Sequence, residues 1–570
     1  MLSRWLVAVS LAIPLAAAWP LALRDLSDSP PTVTLDSATV TGINQGNLSK
    51  FLGIPFAQPP VGDLRFRHPV PITSYNGSIN ASSYGDSCPQ QTAIFPLSLG
   101  DIVNFTIPNI PSLHNNRSSN NATSGGEKDN DDPEESEDCL TINIIKPSNV
   151  SADAKLPVLV WIFGGGFERG NAQGYDEQAE RIVNRSVEIG QPVIYAAMNY
   201  RVSAWGFLAS QEVLEAGVGN AGLVDQRVAL QWIQKYIGLF GGDNQKVSLW
   251  GQSAGAISAT LQMLAYDGNG TDLFRGAFMQ SGAQIPVGNI TGGQIYYDQV
   301  ANLTNCTGTN DTLACLRTVP LDDLRKAVDQ TPSYFNYTAL SLAWSPRADG
   351  TFLTQNPQRL VEQGKVMNIP IVNGNVDDEG TVFSLSSLNI TTDEQFREYV
   401  STVFVPNATQ EELEPLWNYY PSDPADGSPF NTSNFNDITP QYKRIAAFQG
   451  DVVFQAQRRY LLQHLSGKQK LWSYLSRRDK LVPVVGSFHG SALELGILDD
   501  YIIRFTNNLD PNSNSTGMRD WETRWPEYTA ENPQLLTFPV VRGLPLEIMN
   551  DTYREEPMRF LMNLSLAHPL

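Results

Sequence analysis

Apolar residues in this chain gather into short continuous runs, each cut off by glycines or by polar residues. Leu156–Phe163 and Val247–Trp250 have the length and density of buried strands, and Ile369–Val376 reads as another, shorter one. Ala256–Leu264 and Asp451–Leu465 instead space their apolar residues as helices do. Val484–Phe488 reads as a further strand that breaks into a small-residue loop at His489. Beyond the N-terminus no run approaches the roughly eighteen apolar residues of a membrane span. No fixed-period repeat runs along the chain.

The ends of these runs carry the candidate chemistry. After Val247–Trp250 comes Gly251-Gln252-Ser253-Ala254-Gly255, and then a helix. This is G-x-S-x-G between a strand and a helix, the sharp turn that lifts a serine hydroxyl clear of a sheet edge. A side chain at either glycine would clash with the neighbouring strand and helix, and glycine tolerates strained φ/ψ. Leu156–Phe163 ends in Gly164-Gly165-Gly166-Phe167. Backbone N–H groups reach a developing alkoxide only where no Cβ intervenes, which suits a glycine triplet. The N–H of Ala254, directly after the candidate nucleophile, supplies a further donor.

A nucleophilic serine needs a base, and the chain has only five histidines: His68, His114, His464, His489 and His568. With G-x-S-x-G the order along the chain is serine, acid, histidine, which leaves the last three. His464 lies within a helical pattern, where a packing or surface role is expected. His568 is the third residue from the end of the sequence, where fraying is expected. His489, on a loop at the end of an apolar run, is the candidate base. The acid then falls between Ser253 and His489. Ile369–Val376 ends in Asp377-Asp378-Glu379, and any of the three could orient the imidazole.

Across 570 residues, 41% hydrophobic composition is ample for one large core. The net charge of −20 and the lack of a Lys/Arg-rich run argue against a nucleic-acid partner. There is no phosphate-binding glycine loop with its lysine and no clustered His/Cys ligand set, so the chemistry calls for no metal, nucleotide or flavin.

Several ordered segments together resemble the type-B carboxylesterase/lipase family, which includes cholinesterases and secreted fungal lipases. They are Phe51-Leu-Gly-Ile-Pro-Phe-Ala57, Ser136-Glu-Asp-Cys139, Trp161–Phe167, Asn199-Tyr-Arg-Val202, Gly219–Gln226, the serine turn, Asp378-Glu-Gly-Thr381 and Phe488-His489. The resemblance spans nearly the whole chain after its leader. It implies an α/β-hydrolase fold, with a mostly parallel central sheet and helices on both faces. It also implies a serine ester hydrolase without a cofactor, acting on small-molecule or lipid esters. Ser253 would be nucleophile, His489 base and Glu379 acid, with Gly165, Gly166 and Ala254 as oxyanion donors. The family commonly has glutamate before the nucleophile and this chain has Gln252. The resemblance therefore does not extend to a preference for cationic, choline-like substrates. A silent, cholinesterase-like adhesion protein is the rival reading, but such relatives typically lose a member of the triad.

The first 18 residues read as an export leader: Arg4 gives the charge, Trp5–Pro14 the apolar core, and Ala16-Ala17-Ala18 the cleavage site. Residues 19–570 then form one domain of a secreted protein. Roughly twenty N-x-S/T acceptors, among them Asn47, Asn76 and Asn550, agree with export. Four cysteines make two disulfides in any of three pairings. The resemblance implies Cys88–Cys139 and Cys306–Cys315. The loop 89–138 has an apolar first half, including Ile94, Phe95, Leu97 and Ile102, and an acidic second half. In fungal lipases of the resembled family a loop at this place is a lid, which implies transient contact with lipid surfaces.

Overall fold

The structure, a computed structural model, describes residues 29–94, 134–269, 272–494, 496–513 and 523–570. The proposed leader at 1–18 and residues 95–133 of the proposed lid, with Phe95, Leu97 and Ile102, lie outside the described residues, while Ile94 is described and exposed. The loop is tied at its base by Cys88–Cys139, and Cys306 is bonded to Cys315.

The strands in chain order are β1 (Thr32–Leu35), β2 (Ser37–Thr41), β3 (Ile43–Gln45), β4 (Leu48–Pro55), β5 (Asn76–Asn80), β6 (Thr141–Pro147) and β7 (Leu156–Ile162). They continue with β8 (Ile194–Met198), β9 (Gly242–Gln252), β10 (Gly276–Gln280), β11 (Ile371–Val376), β12 (Leu471–Ser476), β13 (Gln534–Phe538) and β14 (Glu547–Asn550). β1, β2 and β5 form a small sheet, and the rest form one large sheet in the order β14-β13-β12-β11-β10-β9-β7-β8-β6-β4-β3. From β8 to β13 all neighbours run parallel, while β6, β4 and β3 on one side and β14 on the other pair antiparallel.

The continuous apolar runs now have a cause. β8, β10, β11 and β12 are buried at every position, because helices cover both faces of the sheet. Successive residues point to opposite faces. On β10 the Phe278 ring meets Phe505 of the helix Gly496–Asn508, while the next residue, Met279, accepts a hydrogen bond on sulfur from Thr260 of the helix Ala254–Leu264. Trp161 and Trp250 pack edge to face at 4.5 Å between adjacent strands β7 and β9. Each such fully buried large side chain contributes about 1.5–3 kcal/mol.

Parallel strands all end on the same side, which decides where the site forms. Gly164–Gly166 follow β7, Ser253 follows β9, Asp377–Glu379 follow β11, and the segment to His489 follows β12. Above these ends a second apolar cluster, including Phe383, Phe396, Phe448 and Phe454, forms the roof.

Two local expectations are corrected. Val484–Phe488 is not a strand: only Phe488 forms a bridge, to Asp378. Pro483, Val484 at φ 69° and Gly486 at φ 58° bend the backbone away from a ladder. Side chains satisfy its carbonyls instead, with Tyr442 donating to Val484 O and Thr381 to Val485 O. The end of the sequence is not frayed either. Leu570 N donates to Pro286 O, Gly288 N donates to Leu570 O, and His568 pairs with Glu412. His464, as expected of a packing residue, caps its own helix by contacting Tyr460 O.

Candidate active site

Ser253 sits at φ 56° and ψ −127°, a conformation that L-residues avoid unless their surroundings enforce it. The enforcement is steric. A Cβ on Gly251 would lie 2.4 Å from the carbonyl carbon of Gly255, and one on Gly255 would lie 1.9 Å from Ile162 O. Those contacts are closer than any real Cβ makes, so the strand, the turn and the helix can meet only through hydrogen atoms. Ser253 N donates to Gln280 O on β10, and Ile257 N donates back to Ser253 O, which locks the turn from both sides. The helix Ala254–Leu264 begins directly behind the serine, so its N-terminal partial positive charge faces the hydroxyl.

The glycine triplet approaches this turn from β7. A Cβ on Gly164 would stand 2.7 Å from Gln252 O and 3.0 Å from Ser253 Cβ. Gly165 and Gly166 have φ of 112° and 65°, and a Cβ on Gly166 would press the Tyr334 ring at 3.0 Å. Gly165, Gly166 and Ala254 line the same cavity as Ser253 and His489.

Of the three adjacent carboxylates, only Glu379 meets the imidazole, its Oε2 standing 2.6 Å from His489 Nδ1. Its other oxygen accepts from Asn375 Nδ2 and Val376 N, both at 2.9 Å, so the carboxylate is fixed on both sides. Asp377 pairs with Lys480 at 2.7 Å. Asp378 accepts from Lys480 Nζ, Ser428 Oγ, Phe430 N and Ser487 N. Burial pushes the Asp378 carboxyl above its ordinary range against the pull of Lys480. The His489 ring lies between Phe383 and Phe454, at centroid distances of 5.2 and 4.6 Å. Phe454 arrives on a π-helical turn, Asp451–Gln455, that interrupts the long helix and turns Val453 and Phe454 into the cavity.

The cavity contains about 1200 Å³ of atom-free space, part of it open to solvent. Phe335, Leu342, Val382, Phe383, Phe454 and Leu493 give it a largely apolar wall.

Three features escaped the sequence reading. Gln252 Nε2 stands 3.3 Å from His489 Nε2, so the residue beside the candidate nucleophile touches the candidate base. Glu168, next to the glycine loop, is fully buried. Its Oε2 accepts from Tyr334 N, its Oε1 has no hydrogen-bond partner among the described residues, and burial pushes its carboxyl up to about 8. Leu570 lines the cavity although it is remote in sequence from every other wall residue. The Glu that follows Gly-Gly-Gly-Phe was visible as a charge entering a buried loop; the other two depend on tertiary contact and leave no local pattern.

Comparison with known proteins places these observations. A profile of the carboxylesterase family matches residues 29–497. The chain is 42% identical to Lipase 4 of Diutina rugosa over 545 residues, covering 92% of this chain and 94% of that one. It is 40% identical to Secreted lipase 1 of Botryotinia fuckeliana, with 88% of each chain covered. Among solved structures, Aspergillus niger EstA superposes with a TM-score of 0.76, over 95% of this chain and 99% of that one, at 24% identity. That likeness establishes the α/β-hydrolase fold. The family match and the lipase relatives carry the activity: this chain belongs to the carboxylesterase family and is a carboxylic ester hydrolase.

Proposed function

We propose that the chain is a secreted lipase-type esterase in which Ser253, His489 and Glu379 cleave hydrophobic esters through an acyl-enzyme. The observation that carries the reading is the 2.6 Å Glu379–His489 contact beside the Ser253 turn, at the wall of an apolar cavity.

In this mechanism Ser253 Oγ attacks the ester carbonyl carbon and its proton passes to His489 Nε2. Glu379, held by Asn375 and Val376, fixes the ring by its Nδ1–H and leaves Nε2, bordered by Gln252, as the nitrogen that takes the proton. The carbonyl oxygen becomes an alkoxide held by the amides of Gly165, Gly166 and Ala254, which line the same cavity as Ser253. His489 then protonates the leaving alcohol oxygen. Water, deprotonated by the same nitrogen, releases the acid and restores Ser253.

The apolar wall favours a hydrophobic acyl chain by burial. One relative, 36% identical over 93% of this chain, is named a secreted triacylglycerol lipase in Gibberella zeae. Relatives named as secreted support export, and no helix among the described residues is long and apolar enough to cross a membrane.

The test is hydrolysis of p-nitrophenyl esters of increasing chain length and of emulsified triacylglycerol by the purified protein. Ser253→Ala and His489→Ala should lower kcat by about 10⁴- to 10⁶-fold without changing the fold. Near-normal turnover by Ser253→Ala would falsify the mechanism.

A further inference from the structure

Asparagine divides into two populations in this structure. Asn143, Asn171, Asn199, Asn220, Asn373 and Asn375 are buried, and none begins an Asn-x-Ser/Thr triplet. Every asparagine among the described residues that does begin one is exposed. The buried amides serve the fold: Asn143, for example, accepts from Gly53 N and donates to Ala197 O. The exposed ones have room for a bulky, solvated group.

Four of the exposed triplets occupy particular places. Asn47 lies in the turn joining β3 to β4, and β3 ends the large sheet on one side. Asn550 is the last residue of β14, which ends the same sheet on the other side. Asn76 and Asn80 are the first and last residues of β5, an outer strand of the small sheet. An outer strand offers unpaired N–H and C=O groups to another chain, and proteins usually guard it with charge, proline or bulges. β3 (Ile-Asn-Gln) and β5 (Asn-Gly-Ser-Ile-Asn) contain neither charge nor proline. β14 has one charge, Glu547, but exposes Ile548 beside exposed Val541 and Leu544. The remaining outer strand, β1, has no triplet and starts behind Pro30-Pro31. Triplets therefore stand where the ordinary guards are missing.

We propose that N-linked glycans on Asn47, Asn76, Asn80 and Asn550 cap the free sheet edges and prevent edge-to-edge association with a second copy of this chain. The attachment rests on the export reading, because the sugar donor is a lipid-linked oligosaccharide diphosphate of the secretory lumen. The asparagine amide nitrogen bonds to C1 of the sugar, the C1–O bond to the diphosphate breaks, and the amide gives up one proton.

The experiment uses the full chain secreted from a eukaryotic host, with site occupancy read by peptide mass spectrometry. All four asparagines should be occupied; unoccupied edge sites overturn the proposal without touching the ester-hydrolase reading. Replacing Asn47, Asn76, Asn80 and Asn550 together by Gln is compared with replacing Asn184, Asn302, Asn407 and Asn563, which lie on or beside helices. Both variants should hydrolyse esters as the parent does. The edge variant should associate about tenfold faster by light scattering at equal concentration, and the helix variant should not. Equal association of the two overturns the proposal. If the edge variant is not secreted, the folded parent trimmed to single sugars by an endoglycosidase replaces it. Trimming should raise its association about tenfold, and a trimmed protein that stays dispersed overturns the proposal.

Discussion

The two halves of the candidate site are built by different physics. On the nucleophile side, five consecutive residues and the floor beneath them determine the shape: Gly251 and Gly255 are glycine because a Cβ would enter the neighbouring backbone, and Ser253 is forced to positive φ between them. On the base side, no ladder holds the loop that carries His489. Asp378 holds it, gathering donors from Ser428, Phe430, Lys480 and Ser487, which lie between 50 and 109 residues away. Steric constraints leave a mark in the local sequence, whereas a polar cluster drawn from distant segments leaves none.

The nucleophile side is most vulnerable at Gly255. Gly255→Ala places a methyl group 1.9 Å from Ile162 O, where neither strand nor helix can yield. We expect a loss above about 4 kcal/mol, beyond what an ordinary core substitution costs, and little soluble protein. Ser253→Ala, in the same turn, should keep the parent's melting temperature. If Gly255→Ala gives well-folded protein, the elbow is not sterically determined.

Adjacent carboxylates sharpen the contrast on the other side. Glu379→Gln keeps the shape but loses the charge that orients His489, so kcat should fall by orders of magnitude while thermal stability stays near the parent's. Asp378→Asn leaves Lys480, with only 6% of its surface exposed, to Asp377 alone. Removing one partner of such a buried pair costs about 3–5 kcal/mol. Its melting temperature should therefore drop, with activity lost mainly through unfolding. Calorimetry and kcat measured on the same samples separate the two; a stable Asp378→Asn with crippled kcat would mean that Asp378 serves the chemistry directly.

The same division explains what could be read beforehand. The strands β7, β9 and β11 were legible because two-sided burial writes itself as unbroken apolar runs, and the elbow because its glycines are obligatory; the parallel arrangement came only from the family resemblance. Asp377, Asp378 and Glu379 could not be ranked from the residues, since the choice depends on which carboxylate lies across from a histidine 110 residues later. Val484–Phe488 was misread for a related reason: its apolar residues pack into the roof, but Pro483 and two positive-φ residues bend the chain out of a strand.

Glu168 is a polar exception on the steric side of the site. Folded, its carboxyl keeps its proton to about pH 8; unfolded, it releases it near the ordinary 4.5. Folding therefore takes up a proton between those values, and the contribution to stability falls as pH rises through that window. Glu168→Gln has no proton to lose. It should gain on the order of a few kcal/mol over the parent at pH 9 and almost nothing at pH 4, by thermal unfolding at each pH. A constant difference across pH would mean that the carboxyl does not titrate in the fold.

The smallest expected effect lies where the two halves touch. Gln252 belongs to the elbow, yet its amide stands 3.3 Å from His489 Nε2. A neutral hydrogen bond of this kind contributes about 1 kcal/mol and must be given up when Nε2 takes the serine proton, so Gln252→Ala should change kcat by no more than about fivefold, with the melting temperature and the KM for a neutral ester little changed. A larger loss would mean that the amide positions the imidazole and does not merely border it. Gln252→Glu tests the other consequence of a neutral side chain at this place. The parent, with no charge here, should treat a choline-type ester and its uncharged isostere alike. A carboxylate beside Ser253 should raise kcat/KM for the cationic ester several-fold relative to the isostere, more at low salt than at high. If the ratio does not move, the alcohol part of the substrate does not lie over Gln252, and specificity is set elsewhere in the apolar wall.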